Sequence, residues 1–75
     1  MSKKLTLGII GSGQLGSMLC NAAKKLNIKT VVISDDKDGP AQNFCNEFIF
    51  SKYDNLEKID EFISKVDIVT FEFEN

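Results

Sequence analysis

The apolar run Leu5-Thr6-Leu7-Gly8-Ile9-Ile10 passes directly into Gly11-Ser12-Gly13-Gln14-Leu15-Gly16. A Gly-x-Gly-x-x-Gly turn behind such a run, with a helical pattern after it, leaves few folds open. The run becomes a strand, the glycines a tight turn, and the next segment a helix lying back on the strand. Gly11 permits the turn, Gly13 lets backbone approach a ligand with no Cβ in the way, and Gly16 lets the helix pack close to the strand. The helix start then offers N–H groups without intrahelical partners and a partial positive charge, which together favour an anion. This points to phosphate without saying whose, and a tight turn holding no ligand is the competing interpretation.

The rest of the chain repeats that alternation. From Gln14 to Leu26 the apolar residues Leu15, Met18, Leu19, Ala22, Ala23 and Leu26 recur at helical spacing. Asn27 stands as the stop, with Lys24 and Lys25 in the last turn. Lys29 to Ser34 is β-branched and predicts a second strand. Asp35 to Pro40 is a turn, and Pro40 opens a short helix through Asn46, where its missing N–H costs nothing. Phe48-Ile49-Phe50 is a very short third strand. Asp54, with Glu57 three residues on, resembles a capping box for a helix through Lys65. That helix is expected to bury Leu56, Ile59, Phe62, Ile63 and Val66, and Asp67 to Phe73 forms the last strand.

The order β-α-β-α-β-α-β predicts an α/β fold: a Rossmann-like parallel sheet with right-handed crossovers, flanked by helices in a three-layer half-fold, with residues 1–75 as one domain. Ligands of such sheets bind beyond the carboxyl ends of the strands, where strand order reverses. The glycine turn, Asp35-Asp36 and Glu72-Phe73-Glu74 all come to that edge.

Composition narrows the function. The 75 residues carry a net charge of −2, and the nine basic residues are all lysines, scattered along the chain. This argues against a nucleic-acid surface, which would show a basic patch or stripe. No apolar run nears the roughly 20 residues that span a bilayer, and the stretch behind Met1-Ser2-Lys3-Lys4 breaks too early for a signal peptide. A cytoplasmic protein is expected. Cys20 and Cys45 form no Cys-x-x-Cys pair and the chain has no histidine, so metal and thiol redox chemistry are not expected and both thiols are taken as small hydrophobes.

Two acidic segments compete for a role. Asp35 and Asp36 stand about 20 residues past the glycines, where dinucleotide enzymes keep an acid for the ribose hydroxyls. Nicotinamide binding is therefore a real alternative, against solvated turn residues that cap the next helix, which we favour. In Phe71-Glu72-Phe73-Glu74-Asn75, period-two alternation puts the phenylalanines on one face and Glu72 and Glu74 on the other. At the end of a central parallel strand such carboxylates are costly if buried unpaired, and beside a ligand they can accept hydrogen bonds from sugar hydroxyls. A solvated edge is the alternative.

With both ends read, the chain resembles the N-terminal, pre-ATP-grasp domain of the 5-(carboxyamino)imidazole ribonucleotide synthase family, the ATPase subunit of phosphoribosylaminoimidazole carboxylase. The resemblance rests on Ile9 to Gly16, Met18-Leu19, Ala22-Ala23, Gly39-Pro40-Ala41, Tyr53-Asp54 and, most specifically, Asp67 to Asn75. A formate-using glycinamide ribonucleotide transformylase is similar in layout, but usually carries Glu at the place of Gln14 and Pro at that of Phe71.

The resemblance implies an ATP-dependent carbon–nitrogen ligase of purine biosynthesis that carboxylates 5-aminoimidazole ribonucleotide with bicarbonate. It implies that this segment holds the ribonucleotide, with Gln14 and Leu15 meeting the phosphate, largely through backbone amides, and Glu72 the ribose hydroxyls; Gly11, Gly13 and Glu74 join them as candidate substrate-binding residues from the pattern itself. ATP and Mg²⁺ would bind outside this chain, no catalytic residue lies within it, and the full enzyme would be a homodimer. Family members commonly carry Arg where this chain has Ser17, which removes one anion partner. As a fragment or isolated domain, the segment is expected to be inactive alone.

Overall fold

The apolar runs alternate in the face they present, and this builds the sheet. The computed structural model describes residues 5–72. Its elements are β1 (Thr6–Ile10), α1 (Gln14–Lys25), β2 (Lys29–Ser34), a 3₁₀ turn (Pro40–Asn43), β3 (Glu47–Phe50), α2 (Leu56–Lys65) and β4 (Ile68–Phe71). All strand pairs are parallel, in the order β3-β2-β1-β4. On one face Ile9, Cys20, Val32 and Ala41 form a buried cluster under α1 and the 3₁₀ turn. On the other, Val31, Ile33, Ile49 and Phe62 form a second cluster under α2. Neighbours in sequence, Val31 and Val32, thus serve opposite faces, as a strand covered on both sides requires. The α/β, three-layer expectation holds.

The helix ends follow local chemistry. Asn27 adopts φ 61°, the left-handed conformation that asparagine tolerates, and stops α1 as expected. The Ile28 N–H returns to the Ala23 carbonyl at 2.8 Å and the Asn27 N–H to Lys24 at 3.1 Å, the two bonds of a Schellman cap. At the start of α2 the cap is Asn55, whose Oδ1 accepts from the Lys58 N–H at 3.2 Å; it is not Asp54. The sequence holds two good capping residues side by side, and the turn geometry selects the second. Asn55→Ala is expected to cost about 1 kcal/mol, lowering the melting temperature by about 4–8 °C, whereas Asp54→Ala stays within about 0.5 kcal/mol. Thermal melts of the two variants check this, and the reverse ranking would return the cap to Asp54.

The buried faces also differ from expectation. In α1 the buried residues are Gly16, Ser17, Cys20 and Ala23, with Met18, Ala22 and Leu26 exposed. Small residues face the sheet because the tight glycine turn brings the helix in close, and the bulky ones are displaced outward. In α2, Phe62 is fully buried, Ile59 and Val66 flank it, and Leu56 and Ile63 are exposed. A single helix resting on one face touches it along a narrow line, so an apolar stripe wider than that line cannot all be covered. Among the described residues the last strand runs from Ile68 to Phe71, its expected end at Phe73 lying outside them, and it sits at the edge of the four-stranded sheet, not its centre; Ile68, Val69 and Phe71 are exposed.

Candidate functional site at the strand-order switch

From β1 the chain builds outward through β2 to β3 on one side, then returns to lay β4 on the other. The carboxyl ends of β1 and β4 therefore bound the place where strand order reverses, the usual ligand crevice of such sheets. The glycine turn leaves β1 there, and Glu72 leaves β4 there.

Two backbone bonds hold these pieces in register. The Gly11 N–H donates to the Ile33 carbonyl at 2.8 Å, tying the turn to β2, and the Glu72 N–H donates to the Ile10 carbonyl at 3.0 Å. Gly11 has φ 111°, a conformation that side-chain-bearing residues rarely adopt. Gly13 is different: its backbone is extended (φ −75°, ψ −167°), open to any residue. What a side chain at Gly13 would meet is the end of the Glu72 side chain, since a Cβ there would collide with Glu72 Oε1 and lie 3.3 Å from Glu72 Cδ, so the carboxylate would have to swing aside. A Cβ on Gly11 would meet Glu72 Cγ. The half-buried Glu72 carboxylate thus lies directly across the glycine turn.

That carboxylate sits where the local chain supplies no negative charge. The N-cap of α1 is Gly13, no side chain caps the helix, and its first turn holds no acid. The first N–H groups of α1 and its positive end face the same opening. Gln14 is exposed and Leu15 half-buried at that opening. Gly16 packs more closely on the turn and the 3₁₀ segment than on the strand: a Cβ there would lie 3.2 Å from the Gly11 carbonyl oxygen and 3.3 Å from Ala41 Cβ. Ser17 turns inward, and its Oγ donates to the Gln14 carbonyl at 2.7 Å. The structure therefore brings Gly11, Gly13, Gln14, Leu15 and Glu72 together; Glu74 lies outside the described residues.

Asp35 and Asp36 stand apart from this group. Asp35 is exposed. Asp36 Oδ1 accepts from the Asp38 N–H at 2.9 Å, so its carboxylate closes its own turn and does not cap the next helix, whose N-cap is Gly39. Sequence reasoning missed Ser12 and Ser34. Buried Ser12 hydrogen-bonds Ser34 Oγ at 2.8 Å and reaches the Asp36 carbonyl at 3.1 Å, while the Ser12 carbonyl accepts from the Ala41 N–H at 2.9 Å. This latch fixes the middle of the glycine turn to the loop after β2. A small hydroxyl residue at each of two strand ends was the available signal, and only the three-dimensional pairing gives it meaning.

Other features lie away from the crevice. A hollow of about 400 Å³, lined in part by Thr6, Thr30, Asn46 and Glu47, opens at the amino ends of the strands, beside the exposed Lys65–Glu47 pair at 2.7 Å. Burial pushes the thiols of Cys20 and Cys45 above the usual range. Among the described residues no group of three or more His, Cys, Asp or Glu could hold a metal ion, and no helix is long and apolar enough to cross a membrane.

Residues 4–75 match the model of the ribonucleotide synthetase preATP-grasp domain. An N5-carboxyaminoimidazole ribonucleotide synthase of Staphylococcus aureus (strain COL) is 43% identical over 70 residues, which is 93% of this chain and 19% of that protein. The crystal structure of N5-carboxyaminoimidazole synthetase from Staphylococcus aureus complexed with ADP superposes with a TM-score of 0.89 at 40% identity, covering 100% of this chain and 20% of that one. The N5-carboxyaminoimidazole ribonucleotide synthetase from Thermotoga maritima gives 0.84 at 30% identity over 92% of this chain and 19% of that one. The chain thus spans about a fifth of the length of these relatives.

Proposed function

The chain belongs to the ribonucleotide synthetase preATP-grasp family, and from that premise we propose that residues 1–75 are the substrate-binding N-terminal domain of an ATP-dependent carbon–nitrogen ligase. That enzyme carboxylates 5-aminoimidazole ribonucleotide with bicarbonate in purine biosynthesis, in the cytoplasm, as a homodimer. The observation that carries the assignment is the meeting of Glu72 with the glycine turn at the strand-order switch.

Each part of the crevice has a chemical task. The N–H groups at the start of α1, around Gln14 and Leu15, take the phosphate, and Gly11 and Gly13 give it room to approach. The Glu72 carboxylate is an acceptor only, suited to ribose hydroxyls, and Glu74, two residues on in the sequence, is the second acid proposed for the ribose side. The ligand is therefore held at both ends of its phosphoribosyl unit, which leaves its amino group to be presented to chemistry supplied elsewhere. ATP and Mg²⁺ are assigned to protein beyond this segment; when bound, ATP would supply the phosphoryl group that activates bicarbonate and Mg²⁺ would neutralise the phosphate charge. The Staphylococcus aureus relative captured with ADP supports nucleotide use in the family.

The test is a nuclear magnetic resonance titration of the ¹⁵N-labelled chain with 5-aminoimidazole ribonucleotide and with NAD. The ribonucleotide is expected to shift the amides of Ser12 to Ser17 at lower concentration. NAD acting at lower concentration would overturn the assignment in favour of a dinucleotide module. Against that alternative stand the family match over residues 4–75 and the 43% identity to a ribonucleotide synthase.

A further inference from the structure

We propose that Glu72 is a specificity-determining residue that plugs the glycine cradle against phosphate groups arriving without sugar hydroxyls; this rests on the assignment of the cradle to phosphate. The side chain does not merely border the cradle. An ideal Cβ on Gly13 would collide with its Oε1, and one on Gly11 with its Cγ, so the carboxylate covers the space that the two glycines leave open. Nothing local to α1 provides negative charge there, since the helix has no capping side chain and no acid in its first turn. Glu72 therefore brings a carboxylate across the turn from which α1 starts.

Two anions cannot share that turn without repulsion. A bare phosphate entering the cradle must displace the carboxylate and gains nothing from it. A phosphoribosyl ligand displaces it as well, then offers hydroxyl donors to the displaced carboxylate, which turns an opponent into a partner. The backbone allows this exchange, because Glu72 leaves the ladder immediately after its N–H bond to Ile10 and its side chain is only half buried. Free phosphate and the polyphosphate tails of nucleotides are thereby turned away from the turn, although its glycine pattern would accept them.

The experiment compares the wild-type chain with Glu72→Gln and Glu72→Ala, using Asp60→Asn, an exposed acid of α2, as the charge control. Inorganic phosphate and ribose 5-phosphate are titrated separately at fixed pH and ionic strength, following the amides of Ser12 to Ser17. Both Glu72 variants are expected to bind inorganic phosphate about tenfold more tightly than wild type, as removal of one like charge at close range should do. Ribose 5-phosphate is expected to gain less or to weaken, and Asp60→Asn to change neither. If inorganic phosphate shifts the turn equally in wild type and both variants, the plug is refuted while the cradle remains a phosphate site. If neither ligand moves those amides in any protein, the phosphate assignment fails and the plug falls with it.

Discussion

Replacing Phe62 by alanine is expected to remove about 3–5 kcal/mol of stability, the range for deleting a fully buried aromatic ring. Phe62 is 1% exposed and anchors α2 to the sheet amid Val31, Ile33 and Ile49. Its ring also reaches the backbone of β1: a Cβ on Gly8 would come within 2.7 Å of Phe62 Cζ and 2.9 Å of Val66 Cγ1. With no other helix on that face among the described residues, little can collapse into the space the ring leaves. A small domain buries proportionally little surface, so a loss of this size approaches its whole stability of about 5 kcal/mol at the low end. Urea denaturation followed by circular dichroism should show most of the folded baseline gone for Phe62→Ala and a milder shift for Phe62→Leu. A loss below about 1 kcal/mol for the alanine variant would mean that the α2 layer is not a core and that the cluster under α1 alone holds the sheet.

The parts of this fold that the sequence announces are those decided by neighbouring residues. The β-branched run of β2 was legible to the residue, because strand propensity and burial on both faces agree there. Asn27 announced the end of α1, and the glycine spacing announced the turn, because both depend on backbone conformations few residues tolerate. What stayed hidden depends on distances between segments. Nothing local to Ile68–Phe71 states that β4 lies at the edge beside β1, since strand order is set by crossover packing. Nor does hydropathy alone reveal that Met18, Ala22 and Leu26, which share the apolar spacing of buried Ala23, are exposed while Ser17 is buried. At the site, the glycine turn and Glu72 were each recognised as candidates. That the carboxylate lies across Gly13 follows only from the pairing of Ile10 with Phe71, which brings residues 61 positions apart into register.

Gly13→Val should weaken use of the ribonucleotide about a hundredfold while sparing the fold, and Gly11 is the contrast that makes this informative. Gly11 has φ 111°, so any side chain there strains the backbone and lowers stability whatever the ligand. Gly13 has an extended backbone that valine adopts readily. Its only obstacle is the Glu72 carboxylate on the open side of the turn, a flexible side chain that can swing outward. The cost of Gly13→Val therefore falls on whatever must approach that opening. Two methyl groups would stand where a phosphate must reach the first N–H groups of α1, and a phosphate held even slightly farther away loses most of its charge-assisted hydrogen bonding. In a full-length family member carrying this segment, KM for 5-aminoimidazole ribonucleotide is expected to rise about a hundredfold, or about 2.8 kcal/mol at 1.4 per tenfold. KM for ATP should stay within about threefold, and the melting temperature of the isolated chain should remain near wild type. An equal rise in both constants would mean that the turn serves the nucleotide. A collapse in melting temperature would mean that the extended geometry at Gly13 is not the one the chain needs.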